Sequence, residues 1–229
     1  MYSSLDRADI AMKSPTDGTV EFVQTDHRSA EELEQDRELA SLFLLIRILH
    51  PKRMVEPGSP EPNVRCVFTE RPPEFIREIV ASAGGRIVFG DQHIPDDDLP
   101  SPRPLDQVLA NAFHALAVSV AGEFSTSLTL EGLSIVEKQI SLEFEPLDED
   151  EIAYWSAIVK LGAFAGELIR QNNGGRWIKV ETGTLPLALE TSFRGNPASV
   201  NPLGKAIKFF DNGPEDSVIS LVKLVTREP

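Results

Sequence analysis

Cysteine is almost missing from this chain: Cys66 stands alone in 229 residues. No internal disulfide can form, which excludes a disulfide-stapled domain and makes a reducing compartment the natural setting. The run Val64-Arg65-Cys66-Val67-Phe68 is strand-like. A thiol there is expected to be buried and inert, not nucleophilic. Long apolar runs are missing too. The longest, Leu42 to Ile46, ends at Arg47 and is far too short to cross a bilayer. The first twenty residues hold Asp6, Asp9 and Asp17 and no apolar stretch. No secretory signal is expected from them, and the cytoplasm is the expected location.

Histidine is scarce and scattered. His27, His50, His93 and His114 stand at no helical or finger spacing from one another, and no H-E-x-x-H occurs. His114 shares a stripe with Gln107 and Asn111, which assigns it to the solvent face of its helix. His50 falls in a last helical turn, where a cation suits the dipole. Asp91, His93, Asp96, Asp97 and Asp98 have ligand chemistry but no fixed geometry, so no metal is expected. Gly204-Lys205 lacks the upstream glycine of a phosphate loop, and Pro202 precedes it. There is no G-x-S-x-G elbow. No catalytic, cofactor-binding or metal residue is assigned on these grounds, and an enzyme is not the leading expectation.

What is present is charge of one sign. Acidic residues number 36 against 22 basic ones, a formal net charge of -14. Such a surface repels phosphate backbones and anionic lipid, which argues against nucleic-acid and membrane partners. It suits a basic protein partner, with solubility as the plainer account. Gly90 to Arg103 reads as an acidic, proline-rich loop, and Asp91, Asp96, Asp97 and Asp98 in it are the expected contact surface. Apolar residues make up 41%, enough to build a core.

Patterning points to an α+β fold, with mixed small sheets packed by several helices around a central apolar helix at 149–172. Residues 1–18 read as a loose terminus, 19–103 as an N-terminal α/β part and 104–229 as a C-terminal α+β part, or the last two as one continuous domain. Thr19 to Val23 is strand-like. Ser29 to His50 reads as one helix, with Ser29 and Glu32 forming a capping box and Pro51 the stop. Asn63 to Thr69, a short helix after Pro72-Pro73, and Arg86 to Phe89 make a strand–helix–strand unit of about minimum length for a parallel crossover. Helices are expected at Leu105–Gly122 and Leu130–Ile140, followed by a short strand or extended link at Ser141–Phe144. After the central helix and its Asn173-Gly174-Gly175 stop come two strands, Trp177–Glu181 and Leu185–Leu189. Asn201-Pro202 opens a helix over Leu203–Phe210, Asn212-Gly213 ends it, and Pro214–Val225 is the last helix.

Glu167 is the one carboxylate inside the central apolar stretch, where burial could tune it as an acid or base. The stripe Ser156, Lys160, Glu167, Arg170 and Gln171 argues instead for a structural role, on a polar edge or holding the Asn173–Gly175 turn, with Glu167 and Arg170 pairing three residues apart. Gly162 and Gly166 let another element approach closely, and Trp155 and Trp177 are core residues.

The run Leu161-Gly162-Ala163-Phe164-Ala165-Gly166-Glu167, then Gly174-Gly175-Arg176-Trp177 and Asn201-Pro202-Leu203-Gly204-Lys205, with Ser127 to Val136 ahead and Asn212 to Ser217 after, carries a resemblance. Together these stretches resemble a loosely defined group of uncharacterised bacterial proteins in which a "GAYxGE" helix leads to "GGxW" strands and an "NPxxK" helix. The resemblance covers residues 125–225, with Phe164 where the pattern often has Tyr. It implies a bacterial origin and a small α+β domain, and it transfers no catalytic residue. By analogy, some such acidic proteins look like immunity or regulatory partners.

Three readings follow. The first is a cytosolic bacterial regulator, inhibitor or immunity-type protein that binds a basic protein. The second is an enzyme whose site gathers Glu123, Glu131, Glu137, Glu167 and the histidines from distant positions. The third is a structural component such as a homodimer, using the Leu42–Ile46 cluster or the last helix.

Overall fold

The computed structural model describes residues 10–13, 20–53, 62–89, 92–93, 99–143, 151–181 and 185–226. The fold is α+β, and the chain divides into two compact units, Met1–Val108 and Leu109–Pro229. Among the described residues no helix is long and apolar enough to cross a membrane.

In the first unit a five-stranded sheet runs β1-β2-β3-β4-β5 (Ile10–Lys13, Val20–Asp26, Asn63–Phe68, Arg86–Phe89, Gln92–His93). The central three strands are parallel, and an antiparallel strand closes each edge. The expected crossover is present, with α3 (Glu74–Ser82) joining β3 to β4. A second joins β2 to β3 through α1 (Ala30–Gln35) and α2 (Arg37–Arg53). Crossovers of one hand, stepping the same way across the sheet, lie on the same face. The burial pattern agrees: Val64, Cys66 and Phe68 of β3 are buried while the residues between them are half-buried.

The capping box forms as read, with the Ser29 side chain accepting from the Glu32 amide and the Glu32 carboxylate accepting from the Ser29 amide. Four expectations fail here. The strand β1 pairs Ile10–Lys13 with Val20–Val23, so that part of the N-terminus is not loose. The first helix is two, divided at Asp36, which caps α1. Aspartate is among the weaker helix formers, and α2 starts afresh from Arg37. Pro51 does not stop α2, which runs to Arg53; in a last turn its missing N–H costs the helix only one bond. The Leu42–Ile46 cluster offered as a surface patch is core instead.

The second unit is built around α6 (Glu151–Asn173), which packs against α5 (Leu130–Glu143), α7 (Pro202–Asn212), α8 (Val218–Val225) and a three-stranded antiparallel sheet. That sheet is β6 (Arg176–Lys179), β7 (Leu187–Phe193) and β8 (Asn196–Val200). The α4 helix (Leu105–Glu123) straddles the division between the units. Residues 161–169 are all buried, as a central helix requires. Asn201 caps α7 by accepting from the Gly204 amide, with Pro202 at the first position, as the sequence implied.

Here too there are corrections. Residues 141–143 continue α5 and are not an extended link. The strand β8 was missed: Arg194 and Gly195, both at positive φ, form a two-residue hairpin turn that brings Asn196 opposite Phe193. Its Pro197 stands on an edge strand, where the lost donor is tolerated. The last helix is broken at Ser217, between a 3-10 turn at Pro214–Asp216 and α8.

Two glycines of α6 explain how the unit closes. A Cβ on Gly162 would stand 2.9 Å from the Leu203 Cα, and one on Gly166 would stand 2.3 Å from the Trp177 ring. Alanine raises helix propensity by about 1 kcal/mol over glycine. Gly166→Ala is nevertheless expected to destabilise by about 1–3 kcal/mol through overpacking. Urea unfolding measures this, and an unchanged or raised midpoint would refute the close-packing account.

A second prediction concerns Asp26, at the end of β2. Burial pushes its carboxyl up, but hydrogen bonds and charge from Arg28, with Arg47 nearby, more than offset this and hold it below the usual range. A carboxyl depressed in the folded state contributes stability above its unfolded value, near 3.8, and loses it as pH falls through the lower folded value. Asp26→Asn is therefore expected to lower stability at neutral pH and to flatten the acid decline below about pH 4. Unfolding midpoints measured from pH 7 to pH 2 test this; parallel curves for the two proteins would contradict it.

Candidate functional site

A carboxylate inside an apolar helix is the most unusual chemical feature of this sequence, and its surroundings are now definable. Glu167 is 0% exposed, so it does not lie on a polar edge. The correction has a simple origin. The stripe Ser156, Lys160, Glu167, Arg170 is polar along its length, but Trp177 of β6 folds back over its later half.

The expected pairing with Arg170 is present and bidentate. The Arg170 Nε donates to Oε1 at 2.9 Å and Oε2 at 3.0 Å, and Nη2 donates to Oε2 at 2.9 Å. The hydrogen bond and the charge together raise the guanidinium's affinity for its proton, against burial, which lowers it. The Trp177 Nε1 donates to Oε1 at 2.9 Å. The His114 Nδ1 lies 3.3 Å from Oε2, on an imidazole whose side chain is 51% exposed. The solvent-face reading of His114 therefore holds, with the addition that its inner nitrogen meets the carboxylate.

Phe113 stacks on one face of the indole at 3.4 Å between centroids and 5° between planes, and Gly166 approaches close by. A buried tryptophan needs an acceptor for its N–H, and Glu167 supplies it. A carboxylate has about four acceptor sites. Three groups now occupy those of Glu167, which is how a buried charge becomes tolerable. The arrangement is that of a structural anion and leaves little acceptor capacity for a substrate proton.

Glu137 is the second buried carboxylate of the four proposed to converge. From α5 it accepts from the Ser217 hydroxyl at 2.7 Å and from the amides of Val218 at 2.7 Å and Ile219 at 3.4 Å. It caps α8 from another helix, and negative charge at that end also suits the dipole. This is the reason the last helix restarts at Val218. Glu123 is exposed and pairs with Lys160 at 2.8 Å, and Glu131 lies exposed in the first turn of α5. The four glutamates thus occupy separate places, and His114 meets one of them. His27 is exposed and His50 is buried.

Among the described residues no group of three or more histidines, cysteines, aspartates or glutamates is placed to hold a metal ion. The expected contact residues Asp91, Asp96, Asp97 and Asp98 lie outside the described residues. One concave feature accompanies the Glu123–Lys160 pair, a half-open cavity of about 200 Å³ between the end of α4, α5 and α6. No protein-family model, curated protein or solved structure matches the chain.

Glu167→Gln preserves shape but removes the charge that Arg170 and Trp177 address. It is expected to destabilise by about 2–4 kcal/mol, in line with breaking a buried ion pair. It should also shift the emission of Trp177, since the indole N–H loses an anionic acceptor. A double-mutant cycle with Arg170→Gln should return a coupling above about 1 kcal/mol; additive effects would show that the pair does not act as a unit.

Proposed function

We propose that this protein is a binding protein, a cytosolic bacterial regulator, inhibitor or immunity-type partner that engages a basic protein through its acidic surface. The observation that carries the reading is how the charges are distributed. Among the described residues, nine lysines and arginines each hold a carboxylate within 3.8 Å. Part of the basic complement is thus paired within the fold. The surplus behind the net charge of -14 sets the outward field, and such a field steers basic partners and repels polyanions. Two buried carboxylates support the same reading, because Glu167 and Glu137 are engaged in holding the fold together. The resemblance of residues 125–225 to small bacterial proteins, some of them immunity-like, points the same way.

Affinity capture from cell lysate at low and high salt tests the proposal. A stoichiometric basic partner, retained at low salt and lost at high salt, is the expected result. No partner at either salt would sink it. The acidic loop is the expected first contact. Replacing Asp96, Asp97 and Asp98 together by Asn should slow association severalfold while leaving dissociation nearly unchanged, as rim charges do. Stopped-flow association rates would show this, and equal rates would move the contact elsewhere.

A further inference from the structure

Gln24 of β2 is 2% exposed and lies on the face of the sheet that α2 covers. Its Oε1 accepts from the Arg47 Nε of α2 at 3.0 Å, and the Arg47 Nη2 donates to the Thr25 carbonyl at 3.1 Å. A guanidinium only donates, so the amide oxygen must face it and the amide cannot be turned over. The Gln24 Nε2 is thereby fixed on the other side of the amide, a buried donor with no acceptor among the described residues. Its register partner in β3, Cys66, is buried and supplies none. A buried donor left in that state is costly, and it marks where an acceptor belongs.

The charge beside it is unmatched as well. Arg47 bonds two neutral oxygens, and among the described residues no carboxylate stands within ion-pair distance of it. The carboxylate that feels its charge is Asp26, which is already bonded through both oxygens by Arg28. Glu32 and Asp36 act on Arg28 from exposed positions, where water and salt screen them. Two guanidiniums therefore face one buried carboxylate at the end of β2, in a chain whose net charge is -14.

We infer that Gln24 and Arg47 form a binding site for a small carboxylate, a ligand distinct from the basic partner proposed above. One carboxylate oxygen accepts from the Gln24 Nε2 and the other from an N–H that Arg47 keeps free. A single monoanion thus meets both the unmet donor and the unmatched positive charge. A water or a neutral ligand would meet the donor and leave the charge. A phosphate dianion would carry a second negative charge toward Asp26 and cost more to desolvate. The site stands beside the carboxyl end of β2, the end of a parallel strand at which α/β sheets take up ligands. Arg47 is itself part exposed, so the ligand reaches it from solvent.

Sodium acetate is the probe, with its neutral isostere acetamide and dianionic phosphate in parallel, and sodium chloride holding ionic strength constant. The full chain is followed by the side-chain N–H resonances of Gln24 and Arg47. Saturable shifts of both with acetate, none with acetamide and weaker ones with phosphate are expected. Gln24→Glu sets a carboxylate of the chain's own against Arg47 and removes both the donor and the unmatched charge. It should weaken acetate binding, read at Arg47, at least about tenfold, as loss of a charge-assisted hydrogen bond does. Gln24→Met removes the donor alone and should weaken binding by a smaller factor, which keeps the comparison open if Gln24→Glu does not fold. An equal response to acetamide would reduce the site to a hydrated polar gap. Tighter binding of phosphate, shifts scattered over the chain, no response to acetate, or unchanged acetate binding in the variants would each overturn the assignment. Lysate capture of a basic protein reads the acidic surface and not Gln24, so either proposal can fail while the other stands.

Discussion

One negative charge inside α6 dictates much of what surrounds it. A carboxylate withdrawn from water is intolerable unless donors replace the lost hydration. Arg170, Trp177 and His114 do so for Glu167, and they come from three elements: the same helix, β6 and α4. Each element is thereby tied to a single point. The indole can reach the carboxylate only by lying close to the helix, which is why Gly166 has no side chain to obstruct it. Phe113 then covers the exposed face of the indole, so the polar contact and the aromatic stack form a single device.

The same geometry bears on function. An acidic group placed for acid–base work keeps capacity for a substrate, whereas this one is occupied on both oxygens. Among the described residues Glu167 and Glu137 are directed inward, into an ion pair and a helix cap.

Local signals in the sequence were legible where their causes were local. The Ser29–Glu32 capping box, the Asn201 cap with its proline, the glycine stop after Asn173 and the β3–α3–β4 crossover each follow from a few neighbouring residues, and each is present. The α+β class followed from the same patterns. Other features depend on contacts that no local pattern contains. The burial of Glu167 requires β6 to fold back over α6. The break at Ser217 requires a glutamate from α5. The β7–β8 turn left a faint mark, Arg-Gly in place of the commoner Asn-Gly, with a proline in the strand that follows to obscure it. Of the candidate site, the Glu167–Arg170 pair was readable from spacing. Trp177 and His114 as its other partners were not, although a lone carboxylate in an apolar run and a buried indole each need what the other offers.

The cap on α8 has a kinetic meaning. Eight residues are fewer than the ~12–15 an isolated helix needs to persist in water, and α8 has no side-chain cap of its own. Its first amide bonds a carboxylate 81 positions earlier in the chain. The helix therefore exists only as part of a long loop closure whose entropy must be met before the contact rewards it. α8 and its hold on α5 are therefore expected to form and to be released together.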